Sequence, residues 1–174
     1  DAGMHRCGTA DPAETVRLAR LLLEEGIDYR GIMGYEGRLR GTPNERAQAF
    51  AEAVQTLVEA KEAIEAAGLA VPIVSGGGTW TLREHLAAPI LTEIQAGSYV
   101  LMEPELAELG LPFGFAAHVM GTVVSRRAQI AVLDVGRKSV GCDYGPPLVL
   151  GPKARVRSLS EEHTVVIYDS QAPP

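Results

Sequence analysis

Two rhythms divide the chain. Up to about residue 112, stretches with apolar side chains at three-and-four spacing alternate with short unbroken apolar runs. From about residue 115 the helical spacing stops and β-rich stretches follow one another. In the first part, Val16, Ala19, Leu22 and Leu23 share one helix face. The preceding Asp11-Pro12-Ala13-Glu14 supplies an N-cap acceptor, a first-turn proline and a capping-box glutamate, and Gly26 supplies a stop. Thr42-Pro43-Asn44-Glu45 repeats that start signal. The long helix behind it carries Ala47, Phe50, Ala51, Val54, Leu57, Val58 and Ile64 on one face and ends at Gly68. Residues 29–35, 71–74 and 91–95 are the apolar runs and predict strands; residues 99–102 are open to extending the last of them. A short helix is expected over residues 81–87.

Strands that are apolar throughout and separated by helices predict a parallel sheet covered by helices. A complete (β/α)₈ barrel takes about 250 residues, so residues 1–112 make less than half of one. The second part, residues 115–174, predicts strands over 117–125, 128–135, 147–150, 154–159 and 163–168. A hairpin is expected to turn at Arg126-Arg127. Leu111-Pro112-Phe113-Gly114 reads as the linker. The expected fold is therefore α/β: part of a parallel-stranded barrel over 1–112, then the start of a mostly antiparallel β domain over 115–174.

Composition changes this picture only by exclusion. The 174 residues are 46% hydrophobic and 22% charged, with a formal net charge of −6. These values argue against disorder and against general affinity for nucleic acid or anionic membranes. No apolar run approaches the length of a membrane span, and residues 1–6 carry no signal-peptide core. Cys7 and Cys142 make no disulfide framework, so a cytoplasmic setting is expected. The chain starts at Asp1 and stops at Pro173-Pro174, which reads as a segment or processed piece of a longer protein.

Ligands of parallel α/β folds bind where strands end. Four such places are unusual. Arg6 stands in Asp1-Ala2-Gly3-Met4-His5-Arg6-Cys7-Gly8, a fixed cation suited to an anionic oxygen or simply a solvated surface side chain. Tyr35, in Gly34-Tyr35-Glu36-Gly37, is suited to stacking on a planar ligand, or is a half-buried aromatic. Ser75-Gly76-Gly77-Gly78-Thr79 has the glycines and hydroxyls of a phosphate cradle, against the alternative of a flexible turn. It is neither a P-loop nor a dinucleotide fingerprint. Thr92-Glu93-Ile94-Gln95-Ala96-Gly97-Ser98-Tyr99 closes the next strand with an amide, a glycine and a hydroxyl, so that Gly97 and Ser98 can share one phosphate with the preceding loop.

Together these segments resemble the fold-type III pyridoxal-phosphate enzymes, whose barrel is shared with alanine racemase. The pair formed by residues 75–79 and 92–99 is similar to the D-threonine aldolase and D-serine dehydratase branch. Residues 119–135, Asp134-Val135-Gly136-Arg137-Lys138, Asp143-Tyr144-Gly145 and Ser160-Glu161-Glu162-His163 resemble the start of that branch's C-terminal β domain. The resemblance implies pyridoxal 5′-phosphate as cofactor. Arg6 would face its phenolic oxygen and Tyr35 would line its face. Ser75, Gly76, Gly77, Gly78, Thr79, Gly97 and Ser98 would hold its phosphate. Gln95 would sit beside the pyridine nitrogen, able to donate to it or accept from it.

Two departures from the family pattern follow. The family's Schiff-base lysine precedes the point where this chain starts, and Lys61, Lys138 and Lys153 fall in a helix and in the β segment. The branch's His-and-Cys or His-and-Asp metal motif is absent, and His5, His85, His118 and His163 are scattered. No catalytic residue and no metal ligand is therefore expected in residues 1–174, and the isolated chain is expected to be inactive. The parent would be a metal-activated lyase for a small-molecule D-3-hydroxy-amino acid, with a divalent cation (Mn, Mg or Zn) and a homodimeric assembly. The alternatives are a non-catalytic pyridoxal-phosphate-binding module and an amino-acid racemase of the same barrel family.

Overall fold

A computed structural model describes residues 1–151 and 153–169. It divides into two compact units, Asp1–Tyr99 and Val100–Pro174.

In the first unit, helix α1 (Pro12–Glu24) starts where the sequence places it, with the Glu14 N–H donating to the Asp11 carboxylate at 2.8 Å. Strand β1 (Gly31–Gly34) follows, then the 24-residue helix α2 (Pro43–Ala66). Its capping box is closed: Glu45 N–H donates to Thr42 Oγ1 and Thr42 N–H to Glu45 Oε2. Strand β2 (Ile73–Gly76) leads through a 3₁₀ turn (Thr79–Thr81) into the six-residue helix α3 (Leu82–Ala87), and β3 (Glu93–Ile94) completes the sheet. The strand order is β1-β2-β3, all parallel, as the uninterrupted apolar runs predicted.

The core packs α2 on the sheet through Leu57, Ile64, Val71 and Val74, with Val16, Tyr29, Ile32 and Leu91 around them. Two sequence expectations shift. Ala53 takes the buried place on α2 while Ala47 and Ala51 face outward, because the buried stripe runs through Ala53, Leu57 and Ile64 at helical spacing. Residues 99–102 do not extend a strand, since Ser98–Val100 forms a 3₁₀ turn.

The second unit holds the short helix α4 (Pro104–Ala107) and four strands: β4 (Val123–Arg127), β5 (Ile130–Leu133), β6 (Ala154–Leu159) and β7 (Thr164–Tyr168). Their order is β4-β5-β7-β6 and every pairing is antiparallel. The first hairpin turns at Ala128-Gln129 and not at Arg126-Arg127. Both arginines stay in β4, and Ala128 adopts the left-handed conformation (φ 42°) that the tight turn needs. Residues 147–150 form no strand.

Candidate functional site

The strand ends of the first unit lie side by side because β1, β2 and β3 run parallel. The last residue of β1, Gly34, pairs with the last of β2, Gly76, which pairs in turn with Ile94. The loops that leave these strands therefore meet on one edge of the sheet.

The contacts between them are specific. Gln95 Nε2 donates to Ser75 Oγ at 2.7 Å, and Gln95 N–H donates to Gly76 C=O at 2.8 Å. The Tyr99 N–H donates to Thr79 Oγ1 at 3.0 Å, which ties the segment carrying Gly97 and Ser98 to the glycine loop. Tyr35 leaves β1 and lays its ring on Gly78, where an added Cβ would stand 3.3 Å from Tyr35 Cε2. The Arg6 guanidinium lies 5.5 Å from the centre of the Tyr35 ring. Arg6, Tyr35, the 75–79 loop and Gln95 are thus linked by these contacts within one unit, and Gly97 and Ser98 join them through the chain to Tyr99.

The two sides of this group differ. Ser75, Gly76, Gly77, Gly78 and Thr79 are buried, whereas Arg6, Gln95, Gly97 and Ser98 are exposed. A Cβ at Gly97 would meet nothing, while one at Gly77 would stand 2.7 Å from His85 Cδ2. Gly77 also has φ 65°, a conformation that glycine adopts without strain. The Gly78 N–H is already committed inside the loop, donating to Thr81 Oγ1 at 3.3 Å.

Beneath this loop lies a polar cluster that sequence reasoning missed. Glu36, Thr81 and His85 are all buried. The Thr81 hydroxyl donates to Glu36 Oε1, and His85 Nε2 donates to the same oxygen at 3.1 Å. Burial pushes the Glu36 carboxyl up, but the donors from His85, Thr81 and its own backbone, with the charge of His85, outweigh this and hold its pKa below the ordinary glutamate value. Phe50 of α2 packs edge-on against the His85 ring at 4.8 Å. The one available signal was the carboxylate beside Tyr35 at a strand end; its partners stand 45 and 49 residues further along.

Each of the three lysines has an acidic partner within its own unit. Lys61 is on α2, 2.7 Å from Glu65, while Lys138 pairs with Glu162 and Lys153 with Asp169 in the second unit. Among the described residues, no three His, Cys, Asp or Glu side chains gather as a metal site. No helix among them is long and apolar enough to cross a membrane. The second unit has its own cleft of about 550 Å³, lined by residues such as Phe115, His118, Leu133, Val135 and Tyr144, and it contains none of the ten residues marked in the sequence.

A parallel α/β sheet with glycine-rich loops at adjacent strand ends is the architecture of a (β/α) barrel segment. The chain belongs to the alanine racemase N-terminal domain family, whose model matches residues 1–104, and the putative serine dehydratase domain matches residues 116–174. It is 32% identical over 184 residues to a D-threonine aldolase of Arthrobacter sp., covering 99% of this chain and 48% of that protein. It is 31% identical over 154 residues to the D-threo-3-hydroxyaspartate dehydratase of Delftia sp. (strain HT23), covering 83% of this chain and 40% of that protein. The crystal structure of D-threonine aldolase from Filomicrobium marinum superposes with a TM-score of 0.87 at 28% identity, covering 97% of this chain and 48% of that one. The chain therefore spans about half the length of the curated relatives it matches.

Proposed function

We propose that this chain carries the cofactor cradle of a pyridoxal-phosphate-dependent lyase acting on D-3-hydroxy-amino acids. Residues 1–112 are its cofactor-binding part and 115–174 the start of its C-terminal β domain. The observation that supports this best is the stitching of two neighbouring strand ends, Gln95 to Ser75 and Tyr99 to Thr79, into one rim beside Tyr35 and Arg6. The relatives' names, an aldolase and a dehydratase for hydroxylated D-amino acids, support the substrate class.

The residues present suit the cofactor. The open space at Gly97 and the exposed Ser98 leave room for a phosphate beside the glycine loop, whose backbone is close enough to Tyr35 that a side chain at Gly78 would press on the ring. In this reading the 75–79 loop with Gly97 and Ser98 holds the phosphate, through backbone and hydroxyl donors that need no net positive charge. Arg6 is the fixed cation for the ring's phenolic oxygen, and Tyr35 packs on the ring face. Gln95, with one amide hydrogen spent on Ser75, offers a neutral partner to the pyridine nitrogen, which leaves the charge on that nitrogen to the cofactor. Pyridoxal phosphate bound there supplies an electron sink for the bond that breaks at the amino acid's α-carbon or its neighbour.

The parent is expected to use a divalent cation and to act on a small-molecule D-amino acid. Cleavage of the Cα–Cβ bond and loss of the β-hydroxyl are the two outcomes compatible with the relatives. The test is to supply the purified complete parent protein with pyridoxal phosphate and a Mn, Mg or Zn salt and add D-threonine or D-threo-3-hydroxyaspartate. Aldehyde release identifies an aldolase and ammonia with an oxo acid a dehydratase. Conversion of D- to L-alanine with neither product would overturn the lyase reading in favour of a racemase.

A further inference from the structure

Tyr35 and Glu36 are adjacent in sequence and serve opposite sides of the same loop. The Tyr35 ring lies on Gly78. The Glu36 carboxylate is instead buried among Thr81 and His85. From there a directional chain of hydrogen bonds returns to the glycine loop: Gly78 N–H to Thr81 Oγ1, Thr81 O–H to Glu36 Oε1, and His85 Nε2–H to that same oxygen. The His85 ring also forms the floor of the turn at Gly77, with Cδ2 and Nε2 standing 2.7 and 3.0 Å from where a Cβ would be. The chain thus fastens the end of β1 and the loop after β2 to the start of α3.

We infer that Glu36, Thr81 and His85 are positioning residues that lock Tyr35 and the Gly77-Gly78 turn into one fixed wall of the anion cradle. This rests on the cofactor-cradle reading above. Packing alone does not account for the cluster. Burying a carboxylate costs free energy that an apolar trio would avoid, and His85 Nδ1 stays buried without a hydrogen-bond partner. What ionised and hydroxyl groups add is direction, since each bond fixes a donor's orientation as well as its place. The Gly78 N–H is spent on this fixing, so Gly78 serves the ligand through its missing side chain. A cradle set before the ligand arrives binds more tightly, because the ordering of the loop has already been met in folding.

The test is calorimetric titration of the purified protein with inorganic phosphate, pyridoxal 5′-phosphate and pyridoxal. It uses Thr81→Val, which removes the hydroxyl, Thr81→Ser, which keeps it, and Glu36→Gln, which keeps the shape and removes the charge. Emission from Trp80, the sole tryptophan, which lies between Thr79 and Thr81 with the Arg38 guanidinium 4.0 Å from its ring centre, follows the loop in parallel. Thr81→Val and Glu36→Gln are expected to weaken phosphate and pyridoxal phosphate about tenfold, the worth of roughly one lost hydrogen bond. Pyridoxal, which keeps the ring that packs on Tyr35 but lacks the phosphate, should weaken clearly less than pyridoxal phosphate, and Thr81→Ser should bind like the wild type. Equal losses for pyridoxal and pyridoxal phosphate, a Thr81→Ser as impaired as Thr81→Val, or variants that all bind like the wild type would each overturn the inference. Should Thr81→Val fail to fold, Glu36→Gln and Thr81→Ser still decide it. A wild type that binds none of the three probes would instead overturn the cofactor reading itself.

Discussion

Replacing Gly77 by alanine drives a methyl group against the His85 ring. The new Cβ would stand 2.7 Å from His85 Cδ2, 3.0 Å from His85 Nε2 and 3.3 Å from Leu91 Cδ1. The imidazole cannot swing aside without breaking its bond to Glu36 Oε1 or moving off Phe50. The backbone adds a second cost, because φ 65° is unfavourable for any residue with a Cβ by about 1 kcal/mol or somewhat more. Forcing a methyl into a packed interior adds about 1–3 kcal/mol. Gly77→Ala should therefore destabilise by about 2–4 kcal/mol, on the sum of these two effects. Gly97→Ala is the internal control: its Cβ meets nothing within 4 Å and its φ lies outside the left-handed region, so its stability should change by less than about 0.5 kcal/mol. Urea denaturation of both variants, followed by Trp80 emission, measures the difference. Equal stability of Gly77→Ala and Gly97→Ala would refute the claim that the loop is seated on the His85 ring.

Three further outcomes follow from other parts of the first unit. Leu57→Ala, in a core where Leu57 is 4% exposed, should cost about 3 kcal/mol by denaturant titration. Thr42→Ala removes the side chain that caps α2 and should cost about 1 kcal/mol, with the capping glutamate losing its hydroxyl partner. Glu36 has a folded-state pKa below its unfolded value, so the stability it contributes is fully present above the unfolded pKa and is lost as pH falls through the lower, folded one. Unfolding free energy measured from neutral to acid pH should fall in that window for the wild type and less steeply for Glu36→Gln; parallel curves would show that Glu36 does not titrate with folding.

The helix starts were legible because capping chemistry is local. Asp11 and Thr42 each announce a helix within four residues, and the structure closes both caps. The parallel sheet was legible from runs with no polar alternation, which only a sheet covered on both faces tolerates. Boundaries were less so. The strand at 71–74 begins two residues later and runs to Gly76, since the ladder to β1 and not local hydrophobicity sets its ends. The turn of the β4–β5 hairpin lay two residues beyond the arginines, at a position whose left-handed backbone no residue type advertised. In the candidate site, Ser75 and Gln95 could be marked from composition, but not the bond between them, which depends on the register of β2 with β3. Glu36, Thr81 and His85 were illegible for a stronger reason. Each is ordinary in its own segment, and their chemistry arises only when burial brings together groups from three places in the chain.

The central claim is that adjacent strand ends of the first unit form a phosphate-holding cofactor cradle. A crystal structure of the protein soaked with pyridoxal 5′-phosphate tests it most directly. The account predicts the phosphate between the 75–79 loop and Gly97-Ser98, within hydrogen-bond reach of their backbone N–H groups and hydroxyls, with the pyridine ring beside Tyr35 and Gln95. Phosphate density lodged in the cleft of the second unit around Phe115 and Tyr144, with the two glycine-bearing loops empty, would contradict it.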